Sequence, residues 1–301
     1  PQVSDEGPRE IVVEGERIRA KFANRGGVLV SWQLKDYLDE DGQPVELVPQ
    51  LNRCLDGDGR PVESLYPTSR QVDARCLDEN NQSVELVPRE LSPEEPWPFS
   101  LMFDDDPQLT ARLDQALFKP SVYDLRLSGA SATLVFEYED SSGLKARKEF
   151  GFQPDSYPYL LSFTAEVSSG AGALNPRVRW GPAVGGTRPG ASRIALQPGG
   201  LRYGSDKRVR RVTPSAVRRG SSYDGPFDFV GVDGQYFLVA ALPGPRQARV
   251  DYAPVCRRDE CGPPVGWFGR LFGRREADVI APEIGLDLVA FDVSLADGPT
   301  D

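Results

Sequence analysis

Residues Lys21–Tyr37 read "KFANRGGVLVSWQLKDY", and they decide the fold. Ahead of Asn24 the apolar residues Ile18, Ala20 and Phe22 fall at every second position. After Gly27 the residues Val28, Val30, Trp32 and Leu34 do the same. Successive side chains of an extended chain point to opposite sides, so a period of two marks a strand with one buried face. Arg25, Gly26 and Gly27 stand between the two runs. Two glycines admit positive φ, and Asn24 tolerates the left-handed region. The stretch predicts a β-hairpin whose turn builds the scaffold and carries no chemistry.

The same period recurs along the chain, at 10–14, 17–23, 28–35, 121–128, 131–139, 144–152, 158–167, 207–213, 235–242, 246–252 and 284–295, among others. Turn dipeptides such as Asp41-Gly42, Ser142-Gly143 and Asp233-Gly234 separate these runs, and the chain holds 30 glycines and 27 prolines. Many short strands at close spacing predict an all-β fold, a large antiparallel sandwich with few short helices. One helix is expected, capped by Asp106, with Pro107 in its first turn and Leu109, Leu113 and Leu117 four apart. The chain is read as a single domain over 1–301, with 253–277 as an insertion or exposed loop.

The net charge of −10 and pI near 4.8 argue against nucleic acid as a partner, since phosphate-binding surfaces are basic. No run of eighteen apolar residues is present, so any signal or membrane anchor is expected outside this stretch of sequence. Histidine is absent altogether. That removes serine–histidine and cysteine–histidine nucleophile pairs, imidazole acid–base chemistry and histidine metal sites. The acidic runs Asp39-Glu40-Asp41, Asp56-Gly57-Asp58 and Asp104-Asp105-Asp106 do not continue into a calcium loop and read as solvated turns or a helix start. The glycine-rich stretch Gly181–Gly190 contains Pro182 and Pro189 and precedes no helix, so no phosphate cradle is expected. No catalytic, metal or cofactor site is expected anywhere in the chain.

The four cysteines, Cys54, Cys76, Cys256 and Cys261, lack the close pairing of a zinc site. Their grouping into two sequence-local pairs suits two disulfides in an oxidising compartment, against four unrelated buried thiols. The basic run Asp206–Val212, "DKRVRRV", reads as a charged edge strand that discourages unwanted pairing, with a partner patch as the other reading.

In order along the chain, "VEGERIRAKFANRGGVLVSWQLKDY" (13–37), "GLKARKEFGFQPDSYPYLLSFTAEV" (143–167), "RWGPAVGG" (179–186), "FVGVDGQYFLVAALP" (229–243) and "FDVSLADGPTD" (291–301) resemble the large periplasmic domain of YidC, the bacterial membrane-protein insertase. The resemblance implies a β-supersandwich akin to galactose mutarotases, held at the inner membrane by flanking segments. It implies an accessory, non-catalytic role, through contact with SecF-like auxiliary subunits of the Sec translocon and with membrane-protein clients. The residues 253–277 have no counterpart in the resemblance. There, after Cys256, Cys261 and Pro263-Pro264, the residues Trp267, Phe268, Leu271 and Phe272 alternate with Arg270, Arg274 and Arg275. On a helix the four apolar residues would share one face, a composition suited to the interface of an anionic bilayer. A loop tucking its aromatics onto the sandwich is the other reading. Two further functions were open to the fold. A mutarotase-like enzyme is disfavoured by the missing histidines. A carbohydrate- or peptide-binding module would use aromatics such as Trp97, Trp180 or Tyr203.

Overall fold

The structure is a computed structural model that describes residues 2–38, 42–47, 53–55, 75–77, 83–84, 97–181, 199–204, 206–212, 216, 221–234, 236–243, 247–255 and 288–295. The described residues form an all-β fold of largely antiparallel sheets with a single α-helix. The chain divides into two compact units, Pro1–Trp180 and Gly181–Asp301. No helix among the described residues is long and apolar enough to cross a membrane.

Unit 1 opens with strands β1 (Glu10–Glu14), β2 (Ile18–Ala23), β3 (Val28–Leu38) and β4 (Pro44–Glu46), then β5 (Arg53–Leu55), β6 (Arg75–Leu77), β7 (Ser83–Val84) and β8 (Ser100–Met102). Helix α1 (Pro107–Gln115) follows, and then β9 (Lys119–Pro120), β10 (Asp124–Arg126), β11 (Ala132–Glu139), β12 (Lys145–Gln153), β13 (Tyr157–Ser169), β14 (Gly172–Leu174) and β15 (Arg177–Trp180). One sheet runs β10-β1-β2-β3-β4, a second β14-β13-β12-β11-β9, a third β5-β6-β7, and β8 pairs with β15. The opening hairpin forms as its alternation predicts, with Ile18 opposite Leu34 and Ala20 opposite Trp32.

The apolar faces of the two five-stranded sheets meet. Phe22 of β2 lies 4.7 Å, ring centre to ring centre, from Phe150 of β12 and 6.1 Å from Phe136 of β11. Ile11, Val13, Ala20, Leu29 and Leu134 complete a dry core around them. Asp106 caps α1 as expected, its Oδ1 accepting from Leu109 N–H at 2.9 Å, and Pro107 occupies the first turn. Leu113 is the buried residue of the helix. Leu117 lies beyond the end, because Ala116 already turns extended.

Unit 2 contains β16 (Gly199–Gly204), β17 (Val209–Val212), β18 (Ser221–Asp233), β19 (Leu238–Ala241), β20 (Gln247–Val255) and β21 (Leu288–Leu295). They follow the order β17-β16-β18-β20-β21, and β19 also pairs with β18. The basic run thus sits on β17, the edge of its sheet among the described residues. Three of its four basic residues form ion pairs: Lys207 with Asp228 at 2.9 Å, Arg210 with Asp206 at 2.7 Å and Arg211 with Asp233 at 2.8 Å. Residues Ala253–Val255, the start of the expected insertion, belong to β20 and pair with Leu288–Ala290.

Candidate functional site

The turn that opens the argument is fixed from several directions. Asn24 is fully buried; its Oδ1 accepts from Arg9 N–H, and its Nδ2 donates to Asp5 Oδ2 at 3.0 Å and to the Gly7 carbonyl at 2.9 Å. Gly26 and Gly27 hold φ of 71° and 56°, which a side chain would strain. Gly26 N–H donates to the Ala116 carbonyl at 2.8 Å, just beyond α1.

From the far side comes Lys148. It stands on β12 in the inward row Ala146, Lys148, Phe150 and Phe152, and is 2% exposed. Its Nζ donates to the carbonyls of Gly26 (2.6 Å), Phe99 (2.7 Å) and Gly27 (3.3 Å), and lies 5.5 Å from the centre of the Phe118 ring. Three acceptors match the three N–H groups of an ammonium. Phe99 itself has φ 68°, a left-handed conformation rare for a bulky residue. Its ring is held in an aromatic cluster with Phe163 (4.8 Å), Phe150 (5.2 Å) and Trp180 (5.7 Å). Lys148 therefore ties the glycine turn and the left-handed Phe99 to the centre of unit 1.

Beside this anchor is a cavity of about 370 Å³, between Met102 at the end of β8, Phe103 and Asp104 following it, and Pro107, Thr110 and Asp114 of α1. Most of its polar groups are engaged. Asp104 takes Arg177 Nη1 on both oxygens at 3.1 Å, and Thr110 Oγ1 accepts from Phe103 N–H at 2.9 Å. Asp114 has no such partner. Burial pushes its carboxyl up to about 6, while Lys148 and Arg179 draw it back down. Burial pushes Lys148 down to about 7, and Asp114 opposes that fall. Asp114 can thus hold a proton, or accept a hydrogen bond, at the cavity wall. Sugar-ring opening needs a matched acid and base reaching the substrate. Lys148 cannot supply the second group, since its protons are taken by carbonyls and it has almost no accessible surface.

Among the residues expected to matter, the strand register sets Cys54 directly opposite Cys76 in the β5–β6 pair. Antiparallel partners stand about 4.5–5.5 Å apart at Cα, inside the range of about 4.4–6.8 Å that a disulfide needs. A Cys54–Cys76 disulfide is expected to stabilise the chain by about 3 kcal/mol. Peptide mapping without reductant should recover the linked pair; free thiols at both positions in protein from an oxidising compartment would refute it. Cys256, Cys261, Trp267, Phe268, Arg270, Leu271, Phe272, Arg274 and Arg275 lie outside the described residues. Trp97 is buried and Trp180 half-buried, and Tyr203 stacks on Phe229 at 5.5 Å, so these aromatics pack against protein. Among the described residues no group of three acidic or cysteine side chains could hold a metal ion.

The residues that organise unit 1, Lys148 and Asp114, were not singled out by sequence. The signal was present: a lysine on the inward parity of an alternating strand. Its partners, three backbone carbonyls, leave no trace in a sequence.

No family model and no curated protein matches the chain. Two solved structures are similar in shape. One is a protein of Escherichia coli K12 provisionally named an aldose 1-epimerase, at 12% identity and a TM-score of 0.36, over 97% of this chain and 89% of that one. The other is a GalM/aldose epimerase homologue from C. elegans, at 10% identity and a TM-score of 0.30, over 82% of this chain and 79% of that one. The all-β assignment rests on the strands themselves.

Proposed function

We propose that this chain is a non-catalytic periplasmic domain of a YidC-type membrane-protein insertase. It assists insertion and folding of inner-membrane proteins through contacts with SecF-like subunits and with clients, on a β-supersandwich akin to galactose mutarotases. The observation that carries the reading is the colinear run of five resembling segments from Val13 to Asp301. Two of them, 13–37 and 143–167, meet where Lys148 grips the Gly26 and Gly27 carbonyls. The absence of histidine, which removes the imidazole acid–base chemistry of a mutarotase, supports a role without catalysis.

In the full-length protein, a photocrosslinker scanned over exposed positions of the domain is expected to capture a SecF-like subunit. The isolated chain is expected to leave mutarotation of fresh α-glucose at its uncatalysed rate. Acceleration that survives repurification, or silence from every crosslinking position, would overturn the proposal.

A further inference from the structure

Strand β13 has an open side. It pairs with β12 along one edge, but on the other only residues 167–169 meet β14. Over 157–166 no strand lies beside that edge among the described residues, and none of these side chains is buried. Elsewhere the two five-stranded sheets of unit 1 end in β10, β4 and β9, strands of two or three residues. An unpaired backbone edge is a template for another chain, and proteins guard it with charge, proline or a bulge. β13 keeps such guards to its ends: Pro158 and the register shift between Phe152 and Gln153 at one, Glu166 at the other. Residues 160–165 carry none.

The ladders decide what fits this edge. Backbone groups alternate between neighbours, so Ser162, Thr164 and Glu166 spend theirs on β12, while Leu161, Phe163 and Ala165 turn theirs to the open side. The same three residues share the inner face with buried Val167 and are half-buried; the Phe163 ring lies 5.0 Å from that of Phe150. An antiparallel newcomer would bring its backbone groups and its inward side chains to them in step, so it needs apolar residues at alternate positions. On the outward face Glu166 stands opposite Arg147, whose guanidinium already takes Glu149 at 2.6 Å and Glu137 at 3.7 Å. Three carboxylates around one cation call for a positive charge on the incoming strand. A second copy fits poorly. Two-fold pairing over 157–166 would bring each Glu166 beside the turn that holds the other's Asp155, between chains of net charge −10.

We propose that the open edge of β13 takes up an extended segment of a partner polypeptide as an antiparallel strand. The segment sets apolar side chains beside Leu161, Phe163 and Ala165, and a lysine or arginine beside Glu166. The test is fluorescence anisotropy of a labelled peptide, three valines alternating with two threonines between terminal lysines, with the isolated chain. Binding is expected at low salt, weakening as salt is added. N-methylation of the valines, whose N–H groups would face β13, should abolish it, while N-methylation of the threonines should not. Ala165→Pro removes one donor from the open side without touching the β12 ladder, and should weaken binding about tenfold.

Equal affinity of the two N-methylated peptides would overturn the proposal, as would unchanged binding by an Ala165→Pro variant with an unaltered thermal transition. So would no binding of the parent peptide at low salt, or a dimer of this chain that Ala165→Pro dissolves. Should that variant unfold, the methylated peptides still decide the matter, since they leave the protein untouched. Glu166→Gln, at an exposed position, should then weaken binding about threefold; parent affinity there would equally refute the idea. The assay needs no translocon, so its outcome is independent of the insertase reading.

Discussion

Lys148→Met should cost the fold about 3–5 kcal/mol, the largest loss expected from one substitution in this chain. Methionine preserves the volume of the stem and its packing beside Phe118 and Phe150. What it removes is the amine that donates to the carbonyls of Gly26, Gly27 and Phe99. It also leaves Asp114 without one of the two cations that favour its charged form. Unfolding by urea, followed by circular dichroism, measures the loss. Adding Asp114→Asn should restore part of it, because the stranded carboxyl is then neutral. A single variant within about 1 kcal/mol of the parent would show that water can replace the amine there.

The pH dependence provides a second reading of the same group. Burial lowers the folded-state pKa of Lys148 from 10.5 to about 7. Between those values the unfolded chain binds the proton that the folded chain has shed, so stability rises with pH and is lost again as pH falls through about 7. The Lys148→Met variant should lack this alkaline rise.

Gly231→Ala should be the next most damaging change. Gly231 is buried on β18 opposite Ala240 of β19. A methyl group placed there would run into the Val239 carbonyl oxygen and come within 2.8 Å of Ala240 Cα. Both obstacles are backbone, so no rotamer change relieves them; the β18–β19 ladder must open. The cost is expected to be about 3 kcal/mol, the upper part of the range for overpacking. Faster amide exchange confined to 230–233 and 238–241 would locate the damage. Gly200→Ala makes a useful comparison, since its obstacle is a side chain, the buried Tyr252 ring at 2.5 Å, and not backbone. If Gly231→Ala proves milder than Gly200→Ala, strand separation at β19 is easier than the ladder implies.

How far the fold could be read from sequence varies from element to element. Runs whose alternation is unbroken were legible almost to the residue: 131–139 against Ala132–Glu139, 144–152 against Lys145–Gln153, 158–167 against Tyr157–Ser169. Each keeps one antiparallel register with a neighbour over most of its length, so the alternation runs on without a break. The thirteen-residue strand Ser221–Asp233 was not legible. Its Gly225-Pro226 reads as a turn, yet the chain continues through it and changes neighbours. Residues up to Pro226 pair with β20, and those from Phe227 onward pair with β16, with β19 added beside 230–233. The run 235–242 shrinks to Leu238–Ala241 because only that part finds a strand to pair with. The strand at Ser100–Met102 was missed as well, being three residues long with Phe99 in a left-handed conformation before it.

The candidate site was less legible than the fold, for a different reason. Asp114 had no signal beyond being an acid on a short helix. The open edge of β13 was no more legible, since which strand is left without a neighbour depends on where the others lie. An edge of that kind is a property of topology, and local pattern does not encode it.

The grip of Lys148 on the opening turn has a consequence during biosynthesis. The amine and the Gly26 carbonyl are separated by 122 residues, and the amine and Phe99 by 49. A ribosome adding about 5–20 residues per second needs roughly 6–24 s to make the stretch from Gly26 to Lys148. Throughout that interval the nascent hairpin of β2 and β3 has its turn carbonyls in water and its apolar face unmatched by β11 and β12. The newborn N-terminal half therefore spends seconds as an exposed sheet, the form in which a chaperone would meet it.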